Sequence, residues 1–254
     1  MDISWYGLIL AALLLLIPYA IFRHLRLPLT RQMLISFTRM ILQLALIGLV
    51  LQFIFKQVNL WLTLGWMLIM ISNAVWTIRG RLKLDKAILI RILPMALGTT
   101  TLTVMPWIVF LVLRPDPLFN PTFLIPIYGM VLGNSMNSCA QALERFESNL
   151  ADNWKAYYTR ITLGANLWEA TLPVFKKALH ASLLPQLLTV ASIGVVSLPG
   201  MMTGQILGGA SPLVAIKYQM MIMISIFSGV SLTDYIAIRL YLHRRFDKHY
   251  LPRG

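Results

Sequence analysis

Charge is what this 254-residue chain has least of: 12% of its residues are charged and 58% are hydrophobic, where soluble domains carry about 25% charged residues. So few charges cannot clothe a water-facing surface, which excludes an ordinary soluble globule and leaves the bilayer as the main solvent. Carboxylates are scarcest, nine against 22 Lys and Arg. The net charge of +13 does not point to nucleic acid, because that reading needs a basic face on a soluble domain and no stretch supplies one. A single cysteine, Cys139, excludes an internal disulfide and a multi-cysteine metal cage. Also missing are the P-loop GxxxxGKS/T, HExxH and GxSxG patterns. The chain is therefore expected not to be an enzyme, to bind no cofactor of its own and to be unable to hydrolyse ATP by P-loop chemistry.

Long apolar runs are what the chain has in plenty. A span needs about 20 mostly apolar residues to cross a hydrocarbon core of about 30 Å. Seven runs qualify: Ser4–Phe22, Met33–Phe55, Leu60–Ile78, Ile92–Leu113, Thr122–Ala140, Ala181–Met202 and Pro212–Ile238. The first lacks a basic leader and a small-residue cleavage site, so it reads as a transmembrane helix and not a signal peptide. None alternates apolar with polar as a barrel strand does. The expectation is an all-α polytopic bundle of about seven spans forming a single permease domain over residues 1–254.

The basic residues orient it. Arg23, Arg26 and Arg31 follow span one, five bases from Arg79 to Arg91 follow span three, five from Arg145 to Lys177 follow span five, and Arg239, Arg244, Arg245, Lys248 and Arg253 follow span seven. That places 18 on one face, with Lys56 and Arg114 on the other and Arg39 and Lys217 inside spans. Cytoplasmic loops carry the Lys and Arg excess, so the C-terminus is expected in the cytoplasm and the N-terminus outside. Alternation this regular favours seven spans over six or eight, since losing one would scramble the signs downstream.

The one long hydrophilic segment, about residues 141–180, is then cytoplasmic. It mixes Glu144, Glu147, Asp152 and Glu169 with five bases, and lacks proline before Pro173. Leu143, Phe146 and Leu150, then Leu163, Leu167 and Ala170, recur at spacings of three and four, which predicts two short amphipathic helices joined near Asn153. Such helices lie on the lipid surface or dock a soluble partner, and spacing alone leaves both open.

Within the spans, polar and small residues mark where chemistry can sit. Arg39 and Gln43, at i and i+4 in span two, share a face; snorkelling to the interface explains Arg39 without any function. Asn134, Ser135, Asn137 and Ser138 make the inner end of span five polar. They line a path or bond another helix. Asp234 is the only carboxylate inside a span, and a buried relay usually needs more, which weighs against a secondary antiporter. Gly200, Gly204 and Gly208 repeat the GxxxG spacing of close helix packing or a dimer contact. Alternatively, Pro199 breaks the helix and turns Met201, Met202 and Gln205 toward a pathway. Met201 and Met202 are candidate soft-metal ligands, whereas ferrous iron prefers imidazole and oxygen; most of the 14 methionines read as packing.

Three stretches carry a family resemblance: Arg39 to Leu44, Ile125 to Asn134, and Ser197 to Gly209 followed by Ala215 to Gln219. Together they resemble the bacterial iron-export ABC permease family (FetB-like), which includes plant permeases linked to aluminium tolerance. The resemblance implies about seven spans, a homodimer in the cell inner membrane, and a separate ATP-binding cassette ATPase that uses the ATP. It also gives Glu144, Leu163, Gly164, Ala165 and Glu169 an expected role in coupling to that ATPase, through a loop that only loosely matches the usual importer pattern. The implied cargo is iron. Chelated metal or an organic solute such as a nucleotide sugar is the alternative, and a lone secondary transporter or a membrane scaffold are the other classes.

Overall fold

The computed structural model describes residues 4–117 and 119–247, and its regular elements there are helices. Lys248 and Arg253, counted above with the basic face, lie outside the described residues. The chain divides into two compact units, residues 1–57 and 58–254.

The first unit holds α1 (Trp5–Leu13), α2 (Leu16–His24) and α3 (Thr30–Gln57). Ser4 starts α1 by accepting the Gly7 N–H on its hydroxyl at 3.2 Å, as an N-cap should. The 28 residues of α3 extend about 42 Å at 1.5 Å per residue, enough to cross a bilayer. Most of its residues are apolar, with Thr38, Arg39 and Gln43 lining one groove, and Ile54 is its one buried residue among those described.

The second unit contains α4 (Leu60–Arg81), α5 (Lys86–Pro106) with a π-helical continuation Trp107–Leu113, α6 (Pro121–Asp152), α7 (Trp154–Thr162), α8 (Leu167–Ser192), α9 (Gly200–Leu207) and α10 (Pro212–Arg245). Their starts are written locally. Asn59, Asp85, Asn120 and Ser211 each accept a first-turn N–H, and Pro121 and Pro212 occupy first positions where no N–H is needed. The core lies where α6 and α10 pack on one another, with α5 and α8 beside them and α4 against α5 and α6. Along α10 the buried residues Ala215, Gln219, Ile222, Ile226, Val230, Asp234, Ala237 and Tyr241 recur every three or four positions, a helical stripe.

Five helical stretches among the described residues are long and apolar enough to cross a membrane: Tyr6–His24, Thr30–Gln57, Leu60–Arg81, Lys86–Leu113 and Pro212–Arg245. They coincide with expected spans one to four and seven. The other two runs are built differently. The fifth does not stop at Ala140, because α6 continues to Asp152: no proline or glycine intervenes, and Leu143, Phe146 and Leu150 prolong its buried face. The sixth is not one helix. The helix that enters it, α8, already begins at Leu167 and ends at Ser192, and α9 begins only at Gly200. Between them Gly194 takes φ +90°, and Pro199 lacks an N–H to continue a helix.

The hydrophilic segment is corrected in the same way. Its break does fall at Asn153, but its first half is the end of α6. Leu163 and Leu167, expected on one helix face, stand on opposite sides of the turn between α7 and α8.

Candidate functional site: a buried polar seam and an exposed elbow

Polar side chains in a span are costly unless they meet each other, and in the second unit five of them meet. Thr100 of α5 and Thr233 of α10 lie with hydroxyl oxygens 2.6 Å apart. Ser138 Oγ of α6 is 2.6 Å from Asp234 Oδ2 of α10 and 3.3 Å from the carbonyl oxygen of Ser182 on α8. Thr100, Ser135, Ser138, Ser182, Thr233 and Asp234 are all buried. Gly229 permits the approach: a Cβ there would stand 2.8 Å from Val131 Cγ1 and 3.1 Å from Thr100 Cγ2. Two atoms in this seam, Ser135 Oγ and Asp234 Oδ1, have no hydrogen-bond partner. An orphaned polar atom in a dry interior is expensive, which makes the seam the strongest candidate for function within the spans.

Of the four polar residues that the sequence marks at the inner end of span five, Ser135 and Ser138 enter the seam and Asn134 and Asn137 do not. Asn134 is half-buried and gives its amide back to the Met130 carbonyl at 2.8 Å, and Asn137 is exposed; the seam uses the serine that follows each of them, Ser135 and Ser138. The missed signal is a match of spacings, Ser135 and Ser138 on α6 against Gly229, Thr233 and Asp234 on α10.

The other expected positions lie elsewhere. Pro199 is the N-terminal cap residue of α9. Nothing among the described residues lies within 4 Å of where a Cβ on Gly200 or Gly204 would point, so their spacing serves no helix packing among those residues. Met202 is buried, and Met201 joins Met130, Met221 and Met223 around the apolar cluster of Val131, Ile222, Ile226 and Val230. Gln205 Oε1 is buried without a partner, as is Gln219 Oε1 on α10. In the first unit, Arg39 and Gln43 share a groove of about 430 Å³ formed by α3 alone. Among the described residues, no three of His, Cys, Asp and Glu group as a metal site.

The coupling candidates form an elbow. Gly164, at φ +93°, ends α7, with its N–H on the Ile161 carbonyl and that of Ala165 on the Arg160 carbonyl, both at 3.0 Å. This is a Schellman closure, which favours glycine. Asn166 then starts α8 in a reciprocal capping box: it accepts from Glu169 N, and Glu169 Oε2 accepts from Asn166 N, each at 2.9 Å. Gly164 and Glu169 thus shape the turn, and Leu163 is 82% exposed at its tip. Glu144 is also exposed, on α6.

Aromatic contacts tie this elbow to α10. Tyr157 of α7 stacks at 5.3 Å on Phe246, Phe175 of α8 meets Tyr235 edge-on at 5.6 Å, and the Arg239 guanidinium lies 4.6 Å over Trp168. Glu147 of α6 accepts from Tyr241 at 3.0 Å and pairs with Arg245 at 3.2 Å. The neighbour of Tyr235 in sequence is Asp234, so one helix joins the elbow to the seam.

The model of the Uncharacterised protein family (UPF0014) matches residues 5–246. The chain is 35% identical over 250 residues to the UPF0014 membrane protein slr1647 of Synechocystis, covering 98% of this chain and 94% of that protein. It is 34% identical over 226 residues to Protein ALUMINUM SENSITIVE 3 of Arabidopsis thaliana, covering 88% of this chain and 81% of that one. With the Probable iron export permease protein FetB of Escherichia coli it shares 32% identity over 247 residues, 96% and 93% of the two chains. No solved structure matches.

Proposed function

The chain belongs to the UPF0014 family of membrane proteins, and from that premise we propose that it is the membrane-spanning permease subunit of an ABC transporter, exporting iron with energy from a separate cytoplasmic ATPase. The observation that carries this reading is the elbow between α7 and α8. An apolar side chain, Leu163, stands 82% exposed on a turn closed by a Schellman glycine at one end and a capping box at the other. A turn so rigidly built, bearing one large apolar tip and tied by aromatic rings to α10, suits a soluble partner that pushes on it. The absence of P-loop sequence in this chain requires that partner to supply ATP hydrolysis.

In this reading there are seven spans, with α6 and the α8–α9 pair as the fifth and sixth, an outer N-terminus and a cytoplasmic C-terminus. The small-residue face of α9, with Gly200 and Gly204, is open and suits a second copy of the chain. The membrane is the cell inner membrane. Iron follows from the likeness to a probable iron export permease. A second reading, an organic anion such as a nucleotide sugar, is favoured by the groove that Thr38, Arg39 and Gln43 share on α3; a guanidinium among apolar residues suits phosphate or carboxylate.

The test is co-purification of the ATPase with wild type and Leu163→Asp from membranes expressing both. L163D should cost no more than about 1 kcal/mol, the penalty of an aspartate at the C-terminal end of a helix, because Leu163 is exposed but is the C-cap residue of α7, and should lose most of the bound ATPase. Full retention would sink the elbow as the docking point. Flux of iron against UDP-glucose in vesicles holding both subunits then separates the two cargoes.

A further inference from the structure

The seam can be read one level deeper through its protons. Ser138 has one hydroxyl hydrogen, yet its oxygen lies 2.6 Å from Asp234 Oδ2 and 3.3 Å from the Ser182 carbonyl oxygen. A carbonyl cannot donate, so Ser138 must donate to make the second bond. Without sharing that one hydrogen between two acceptors, both bonds are made when Asp234 Oδ2 carries a proton and donates it to Ser138. The chain of donors runs Asp234 Oδ2–H to Ser138 Oγ–H to Ser182 C=O, and one proton satisfies all three oxygens. Were Asp234 ionised, its donors would be the hydroxyls of Ser138 and Ser182 alone, and Oδ1 would be bare charge without a partner.

The surroundings leave no other neutraliser. Asp234 forms no ion pair among the described residues. Thr100 from α5, Ser135 and Ser138 from α6 and Ser182 from α8 are uncharged polar groups. The one other titratable side chain against it is the buried thiol of Cys139 on α6, which as a thiolate adds charge of the wrong sign. A fully buried carboxylate without a cation takes up a proton instead.

We infer that the seam is a proton-binding site: Asp234 holds one proton while α6, α8 and α10 are packed, and gives it to water when α6 and α10 part and Oδ1 is wetted. Oδ1, accepting no hydrogen bond in the closed seam, is the atom that water would reach first. The step is a simple transfer of one proton from Asp234 Oδ2 to water, leaving a carboxylate. A relay through the membrane needs several such groups, whereas a site that loads and unloads one proton needs only this one. The inference rests on the permease reading only for its place in a transport cycle; the protonation itself stands on the chain alone.

The experiment is infrared spectroscopy of the purified full chain in lipid nanodiscs at neutral pH, reading the carbonyl band of a protonated carboxylic acid. Wild type should show the band and Asp234→Asn should lose it with no loss of fold, since an amide has the shape of a neutral carboxyl. Ser138→Ala, which leaves Asp234 in place, should shift the band because its hydrogen bond is gone. Gly229→Val, whose added carbons collide with Val131 and Thr100, should wedge the seam open so that the band disappears at neutral pH and returns in acid. A wild-type spectrum without the band, or a band indifferent to both D234N and S138A, would overturn the site. A band that depends on sodium would overturn it in favour of a small cation. None of these readouts requires the ATPase, so loss of ATPase binding would sink the permease reading while leaving the proton site standing.

Discussion

Residues 1–57 and residues 58–254 use the same apolar alphabet for opposite ends. In the first unit Phe53 is 56% exposed, and Leu42 and Leu49 are 66% and 70% exposed, so the apolar side chains of α3 serve as a lipid-soluble coat. In the second, Phe146 and Leu143 are fully buried, inside a packed interior that also shelters Asp234. Hydrophobicity therefore identifies the solvent of both units and the packing of neither. What separates them is the small and polar residues. Ala142, Ala170, Ala178, Gly229 and Ala237 let α5, α6, α8 and α10 approach, as membrane helices need when lipid is as apolar as leucine.

The contrast can be broken most sharply with one substitution in each unit. Phe146→Ala should destabilise by about 3–5 kcal/mol, the usual cost of emptying a core aromatic site, while Phe53→Ala should change little; equal thermal shifts in detergent would erase the distinction. Arg39→Leu probes the first unit's exposed face. If lipid alone covers it, membrane insertion improves by about 2.5–3.5 kcal/mol, whereas unchanged insertion with lost transport would place Arg39 on an anionic cargo.

Gly229→Val should cost about 1–3 kcal/mol through overpacking, while Gly48→Val in α3, with nothing within 4 Å of its Cβ position, should be silent in a thermal melt. The smallest effect is expected from Glu147→Gln. Its pair with Arg245 is a quarter exposed on each side, so the loss should stay below about 1 kcal/mol and shrink further in high salt.

Much of this organisation was legible beforehand. The runs of spans one to four and seven, the break near Asn153 and the shared face of Arg39 and Gln43 all follow from local composition and the 3.6-residue period. The fifth and sixth runs were not legible, because the cue used was apolarity. The end of α6 is amphipathic yet unbroken, and α8 passes from a polar to an apolar stretch without interruption, although two prolines lie within it. Gly164 and Glu169 were legible as candidates for coupling, but their part in closing the turn depends on hydrogen bonds over three to five residues that spacing alone did not single out.

By itself the sequence determined the solvent of the chain, its helical class and the places where helices start, because hydropathy, caps and N-terminal prolines act within a few residues. Tertiary structure alone decided which polar residues meet. Ser138 and Asp234 are 96 positions apart and Thr100 and Thr233 are 133 apart, and no local rule connects positions so distant. Only the packing of α5, α6, α8 and α10 around the notch left by Gly229 brings them within hydrogen-bonding reach, and the protonation of Asp234 follows from that meeting.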